Sequence, residues 1–134
     1  MKILYIAQDC SPTYGSECRV GFGIISTMAK LGHDITVITN NGCIPPFEDY
    51  IKKNNIANIK FLGIERKRIF LTKFGYHGAM HKEFKNKALK IAVELNKKEH
   101  FDIIHHLTPI GPTIILGPLI LQYLLSEENI IGVK

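Results

Sequence analysis

Tryptophan is absent from this 134-residue chain, and cysteine is scarce: Cys10, Cys18 and Cys43, with no Cys-x-x-Cys pair. So sparse and odd a set excludes a disulfide scaffold and a zinc ribbon, and it points to a reducing compartment. No glycine precedes a Lys-Ser/Thr pair at P-loop spacing, which removes that phosphate cradle. There is no Gly-x-Ser-x-Gly elbow and no His-Glu-x-x-His helix, so serine-hydrolase and zinc-protease chemistry fall away. His77 and His81 are four apart but lack the glutamate that would make them a metal pair, and no metal is expected. Cys10 has no histidine close in sequence and reads as an inert thiol. Internal repeats and low-complexity stretches are also missing. The opening MKILYIAQDC holds one lysine and an apolar run cut short by Gln8 and Asp9, a first strand rather than a signal peptide.

What is present is ordinary globular material, 46% hydrophobic and 22% charged, of a length that suits one domain over residues 1–134. The net charge of +5 conceals an asymmetry. Between Lys52 and Lys98 thirteen Lys/Arg face three Glu, whereas the remainder carries four Lys/Arg against nine Asp/Glu. A basic surface of this kind is either a solvated lysine face or a contact for an anionic partner. From Ile103 to Ser126 no residue is formally charged, and twenty-four residues are enough to span a bilayer. Pro109, Pro112 and Pro118, with Gly111 and Gly117, would break a spanning helix repeatedly, so a buried strand, a loop and a buried helix are expected there.

The first forty residues carry the strongest pattern. Ile3–Ala7 is short and apolar without alternation, as in a parallel strand buried on both faces. A loop punctuated by Gly15, Gly21 and Gly23 leads to a helix closed by Gly32, and Ile35–Thr39 begins a second strand. Asn40-Asn41-Gly42 and Pro45-Pro46 mark a loop, a short helix is expected around Phe47–Lys53, and a third strand near Asn58–Leu62. Residues Gly63–Gly78 place Arg66, Lys67, Arg68 and Lys73 beside Phe70 and Phe74, which reads as an interaction loop, a short interfacial helix or a connector with its aromatics turned inward. Ala79–Lys98 is the clearest helix, with Met80, Phe84, Ala88, Ile91, Ala92 and Leu95 on one stripe and Glu94–Lys98 as an i,i+4 pair. Phe101–His106 is a fourth strand and Asn129–Val133 a last short one. Strand and helix alternating at this spacing give an α/β fold, a doubly wound parallel sheet in a single domain.

The dinucleotide fingerprint fails, because Gly21-Phe22-Gly23 lacks a third glycine and the second strand ends in Thr39-Asn40-Asn41 without an acid for a ribose. Two loops at strand carboxyl ends remain, Gly15–Gly23 and His105–Gly111. If their strands are neighbours, glycines, Ser16, Glu17 and the imidazoles of His105 and His106, with Thr108, share one cleft. That cleft suits a polar, hydroxyl-rich ligand whose charge meets a helix N-terminus. Each histidine taken alone is equally at home in a structural role.

In their order, MKILYIA, Ser11-Pro12, Gly15-Ser16-Glu17, Gly21-Phe22-Gly23 and AKLGHDITVIT resemble the N-terminal domain of family 4 glycosyltransferases of GT-B architecture. FDIIHHLTPIG resembles that family's Asp-x-x-His motif at the end of the fourth strand. The likeness covers residues 1–42 and 100–111. It implies a Rossmann-like, acceptor-side half of an enzyme that moves a sugar, with retention, from a nucleotide-diphosphate sugar to a glycan or lipid-linked acceptor, without cofactor or metal. On that reading Gly15, Ser16, Glu17 and Thr108 bind substrate, and the active-site imidazole is His106, with His105 next to it. Leu107 stands where the family carries a further histidine. A second, nucleotide-sugar-binding domain is expected outside these residues, and without it the chain is expected to be inactive.

The resemblance further implies a cytoplasmic protein, peripheral on the inner face of the plasma membrane, with Arg66, Lys67, Arg68 and Lys73 as the contact. Its expected partners are the sugar acceptor, the completing domain, an anionic membrane surface and a second copy in a homodimer, but no nucleic acid. The competing expectation is a non-catalytic α/β binding module whose basic face takes a membrane surface or a protein.

Overall fold

In the structure, a computed structural model, residues 1–66 and 78–107 are described, with side chains on the last helix from His81 onward. Strand β1 (Lys2–Ala7), helix α1 (Ser16–Lys30), strand β2 (Asp34–Asn40), helix α2 (Ile44–Lys53), strand β3 (Ile59–Ile64), helix α3 (Gly78–Glu99) and strand β4 (Ile103–Leu107) follow in order. The four strands form one parallel sheet, ordered β3-β2-β1-β4, with helices on both faces. This is the Rossmann-like α/β architecture expected from the alternation of elements.

β1 lies between β2 and β4, which explains its lack of alternation. Ile3 and Tyr5 pack toward α1 and α2, Leu4 and Ile6 toward α3, and none of the four is more than 2% exposed. Each such side chain stabilises the fold by about 1.5–3 kcal/mol through burial alone. On the first face Phe47 is fully enclosed, with ring centroids 4.8 Å from Phe22 and 5.0 Å from Phe61. On the other, Phe84, Ala88 and Ala92 of α3 are buried, with Ile91 and Leu95 beside them, as the stripe requires. On α3, Glu83 and Lys87 form an ion pair at 2.7 Å, and among the described residues Glu94 and Lys98 do not.

Helix ends follow their local chemistry. Gly32 takes φ of +87°, and the N–H groups of Gly32 and His33 donate to the carbonyls of Ala29 (3.0 Å) and Met28 (3.3 Å), a Schellman closure. Asn55 closes α2 in the same way from φ of +51°.

β3 and β4 shift by one or two residues from expectation, and the starts of two helices differ more. α1 begins at Ser16, so Gly21 and Gly23 are helical and not part of the loop. Gly21 is buried there because the helix runs against β4: a Cβ on it would lie 3.5 Å from Leu107 Cδ1 and 3.8 Å from Cys10 Sγ. α2 likewise starts at Ile44, with Pro45 and Pro46 inside its first turn, where the missing N–H costs nothing. Residues Thr108, Lys67, Arg68 and Lys73, with Phe70, Phe74, His77, Met80's side chain and the strand expected at Asn129–Val133, lie outside the described residues. Among the described residues no helix is long and apolar enough to cross a membrane.

Candidate functional site

Strand order places the topological switch point between β1 and β4. The chain winds from β1 outward through β2 to β3, then crosses back to lay β4 on the other side of β1. In open parallel sheets the crevice beyond the carboxyl ends at this point is the ordinary ligand position. The carboxyl ends of β1 and β4, whose loops were singled out from the sequence, therefore do lie side by side at the same edge of the sheet.

The β1 loop is held by short-range bonds. The Ser11 hydroxyl accepts from the Thr13 N–H at 3.3 Å and lies 3.1 Å from the Thr13 hydroxyl, while the Ser11 N–H donates to the Cys18 carbonyl at 3.3 Å. Gly15 caps α1 through its backbone alone, its carbonyl accepting from the Arg19 N–H at 3.2 Å. Its φ of −50° and ψ of 173° suit any residue, and a Cβ there would meet nothing within 4 Å. The fold itself has no need of glycine at this position. Ser16 and Glu17 are exposed in the first turn, where α1 presents unpaired N–H groups and the positive end of its dipole.

A polar layer that the sequence analysis did not find lies beside this loop. Gln8 and Asn40, the residues at the exits of β1 and β2, are buried at 6% and 5% exposure, an uncommon place for amides unless they are bonded. The Gln8 carbonyl accepts from the Asn40 N–H (3.1 Å) and the Thr39 hydroxyl (3.3 Å), and Asn40 Nδ2 donates to Asp9 Oδ1 at 2.9 Å. Gln8 Oε1 lies 2.7 Å from His81 Nδ1 on the first turns of α3. A cavity of about 10 Å³, lined by Gln8, Asn40, Glu65, Arg66, Glu83 and Phe84, closes this side. Arg66 is thus placed at the carboxyl edge, at the end of β3. A polar residue ending an apolar strand was the available signal for Gln8 and Asn40; nothing in the sequence foretold that α3 would carry His81 to them.

β4 is clamped at its start, where Asp102 Oδ2 accepts from the Lys2 N–H at 2.7 Å and the Asp102 N–H donates to the Lys2 carbonyl at 2.9 Å. From there the pleat separates the two imidazoles, since successive strand residues point to opposite faces. His105 shares the α1 face, exposed, its ring centroid 5.3 Å from that of Tyr5. His106 pairs with Ile6 and points to the α3 face, half-buried. Burial first, then the neighbouring His105 and Lys85, hold the His106 imidazole below its ordinary pKa. So Gly15, Ser16 and Glu17 stand on the His105 side of the crevice, and His106 stands with His81 and Lys85 on the other.

The three thiols are free. Burial pushes Cys10 up to about 12, with Cys43 and Cys18 adding to the effect, and burial raises the other two as well. Thiols so far from the thiolate are poor nucleophiles, in keeping with an inert Cys10. Among the described residues no group of three or more His, Cys, Asp or Glu could hold a metal ion. Comparison with protein-family models, characterised proteins and solved structures finds no match for this chain.

Proposed function

We propose that this chain is the acceptor-side half of a glycosyltransferase that moves a sugar from a nucleotide-diphosphate donor to a glycan or lipid-linked acceptor. The observation that carries the reading is the switch point between β1 and β4, with the amino end of α1 on one side and His106 on the other. A glycine at residue 15 that folding does not require is explained if a ligand group must come close to the backbone there. The free N–H groups of the first turn then face the donor diphosphate, and Ser16 and Glu17 meet hydroxyl groups.

In the transfer, the acceptor oxygen bonds to the sugar C1 as the C1–O bond to the diphosphate breaks. The bonding pair leaves on the phosphate oxygen, which takes the acceptor proton. His106, whose burial holds its imidazole below its ordinary pKa, serves as a hydrogen-bond partner to the acceptor or sugar. Charge on the leaving diphosphate needs donors from a completing domain, so transfer by these residues alone is not expected.

A second reading, a binding module that meets an anionic membrane or a partner through its basic face, is favoured by the exposed Lys82, Lys90 and Lys98 on α3. Amide chemical-shift titration separates the two. With uridine diphosphate and short oligosaccharides as probes, the transferase reading expects movement at Gly15–Glu17 and at His106. It is refuted if saccharides leave both unmoved while anionic vesicles alone perturb α3.

A further inference from the structure

The end of α3 lies over the starts of the strands, and there, on the α3 face of the sheet, a cleft of about 260 Å³ opens above the first residues of β2 and β3. Its floor is Thr36. The register sets Thr36 between Leu4 of β1 and Lys60 of β3, on the face that α3 covers, and it is 6% exposed. A hydroxyl so deeply placed is ordinarily bonded, yet among the described residues this one has no hydrogen-bond partner and lines the cleft instead. The walls carry both signs of charge and hold them apart. Lys2, Lys60, Asp34 and Glu99 all line the cleft, and among the described residues no ion pair joins any of them. One wall is fixed by Lys2 Nζ, which donates to the Glu99 carbonyl at 3.3 Å, and the other by Asn58 Nδ2, which donates to the carbonyls of Ala29 and His33. Phe101, half-buried, adds an aromatic ring.

Two ammonium groups and two carboxylates cancel, so the cleft favours neither an anion nor a cation. Separated donors and acceptors, a hydroxyl that can do both and an aromatic ring match a neutral polyol with one C–H face. The volume falls just below the roughly 300–1,000 Å³ of drug-sized pockets, which suits a single ring rather than a nucleotide. We propose that this cleft binds one sugar ring of a neutral glycan. The ammonium groups of Lys2 and Lys60 donate to its hydroxyl oxygens, Asp34 and Glu99 accept from its hydroxyl protons, and these charge-assisted bonds need no charge on the ligand. Thr36 completes the floor, and the ring of Phe101 takes the C–H face. Thr36 precedes Asn40 by four positions, about 13 Å back along β2 from the carboxyl edge. The site is therefore separate from the crevice at β1 and β4 and stands whether or not that crevice transfers a sugar.

The test is an amide chemical-shift titration of the whole 134-residue chain with the methyl glycosides of glucose, galactose, mannose and N-acetylglucosamine, each taken to high millimolar concentration. At least one is expected to move Thr36, Lys60 and Phe101 together along a saturating curve. Thr36→Val keeps the branched shape, so it should fold as the wild type does and weaken that glycoside by roughly tenfold, about the loss of one hydrogen bond. Lys60→Gln, at an exposed position, should weaken it too, whereas Lys53→Gln on α2 should not. No saturable movement with any of the four, or equal binding by the wild type and Thr36→Val, would overturn the site. Glycine as a zwitterionic probe and inorganic phosphate as an anionic one test the other ligand classes. If either moves Thr36 and Lys60 and no glycoside does, the sugar assignment falls. Shifts at Gly15–Glu17 and His106 with Thr36 unmoved would remove this site and leave the crevice reading standing, and the reverse pattern would do the opposite.

Discussion

Gly63, near the end of β3, faces the turn that follows β2. A Cβ on it would fall 1.7 Å from Asn41 Oδ1, 2.8 Å from Asn41 Cγ and 2.9 Å from Ile44 Cδ1. Asn41 is exposed and can swing its amide aside. Ile44 is half-buried at the start of α2 and must move by several tenths of an ångström. Overpacking of this kind costs about 1–3 kcal/mol. Against it, alanine at a backbone with ordinary φ recovers about 0.4–1 kcal/mol by narrowing the unfolded ensemble. Gly63→Ala is therefore expected to destabilise by about 1 kcal/mol, measured as a lower urea midpoint at unchanged slope. Attribution to Ile44 needs a cycle. Ile44→Val removes the crowding methyl and alone should cost about 0.5–1.5 kcal/mol. In the Gly63→Ala background it should cost at least 0.5 kcal/mol less, the coupling expected of touching side chains. Additive losses, or a Gly63→Ala variant as stable as wild type, would refute the account of why glycine stands there.

Phe47→Ala empties a fully enclosed site ringed by Phe22 and Phe61 and should cost about 3–5 kcal/mol in urea unfolding; a loss near 1 kcal/mol would mean that the aromatic cluster collapses to fill it. The folded pKa of His106 is depressed below its ordinary 6.5, so on acidification the unfolded chain takes up a proton first and stability falls as the pH drops from about 6.5 toward the folded value. His106→Gln should flatten that part of the slope between about pH 7 and 5, and an unchanged slope would place the titration elsewhere. Native alkylation should leave Cys10 and Cys43 unlabelled at neutral pH while denatured chains take three labels, and rapid labelling of Cys10 in the native state would contradict its burial.

Much of the fold was legible because its signals are local. Apolar runs of five or six residues, a glycine past the end of α1 and the stripe on α3 each fix an element within a few positions. The boundaries that moved did so for tertiary or positional reasons. Gly21 reads as loop punctuation until one sees it pressed against Leu107, and Pro45-Pro46 reads as a break although a first turn tolerates both. The site was legible in part: adjacency of the β1 and β4 loops follows from winding order. The partners of those loops do not. Gln8 meets His81 across 73 positions of sequence, and no spacing rule reaches so far. The separation of His105 from His106 was available from the pleat alone, once both are assigned to one strand.

The clamp between Asp102 and Lys2 fixes more than the start of β4. With one residue inserted after Asp102 and the clamp kept, every ring and aliphatic group of β4 would keep its neighbours along the chain but change sides. His106 would come to lie opposite Ala7, on the face of Tyr5, and Ile103 would turn inward beneath α3 opposite Leu4. A carboxylate some 10–13 Å back along the strand thus decides which imidazole stands on the Lys85 side and which meets solvent, without touching either.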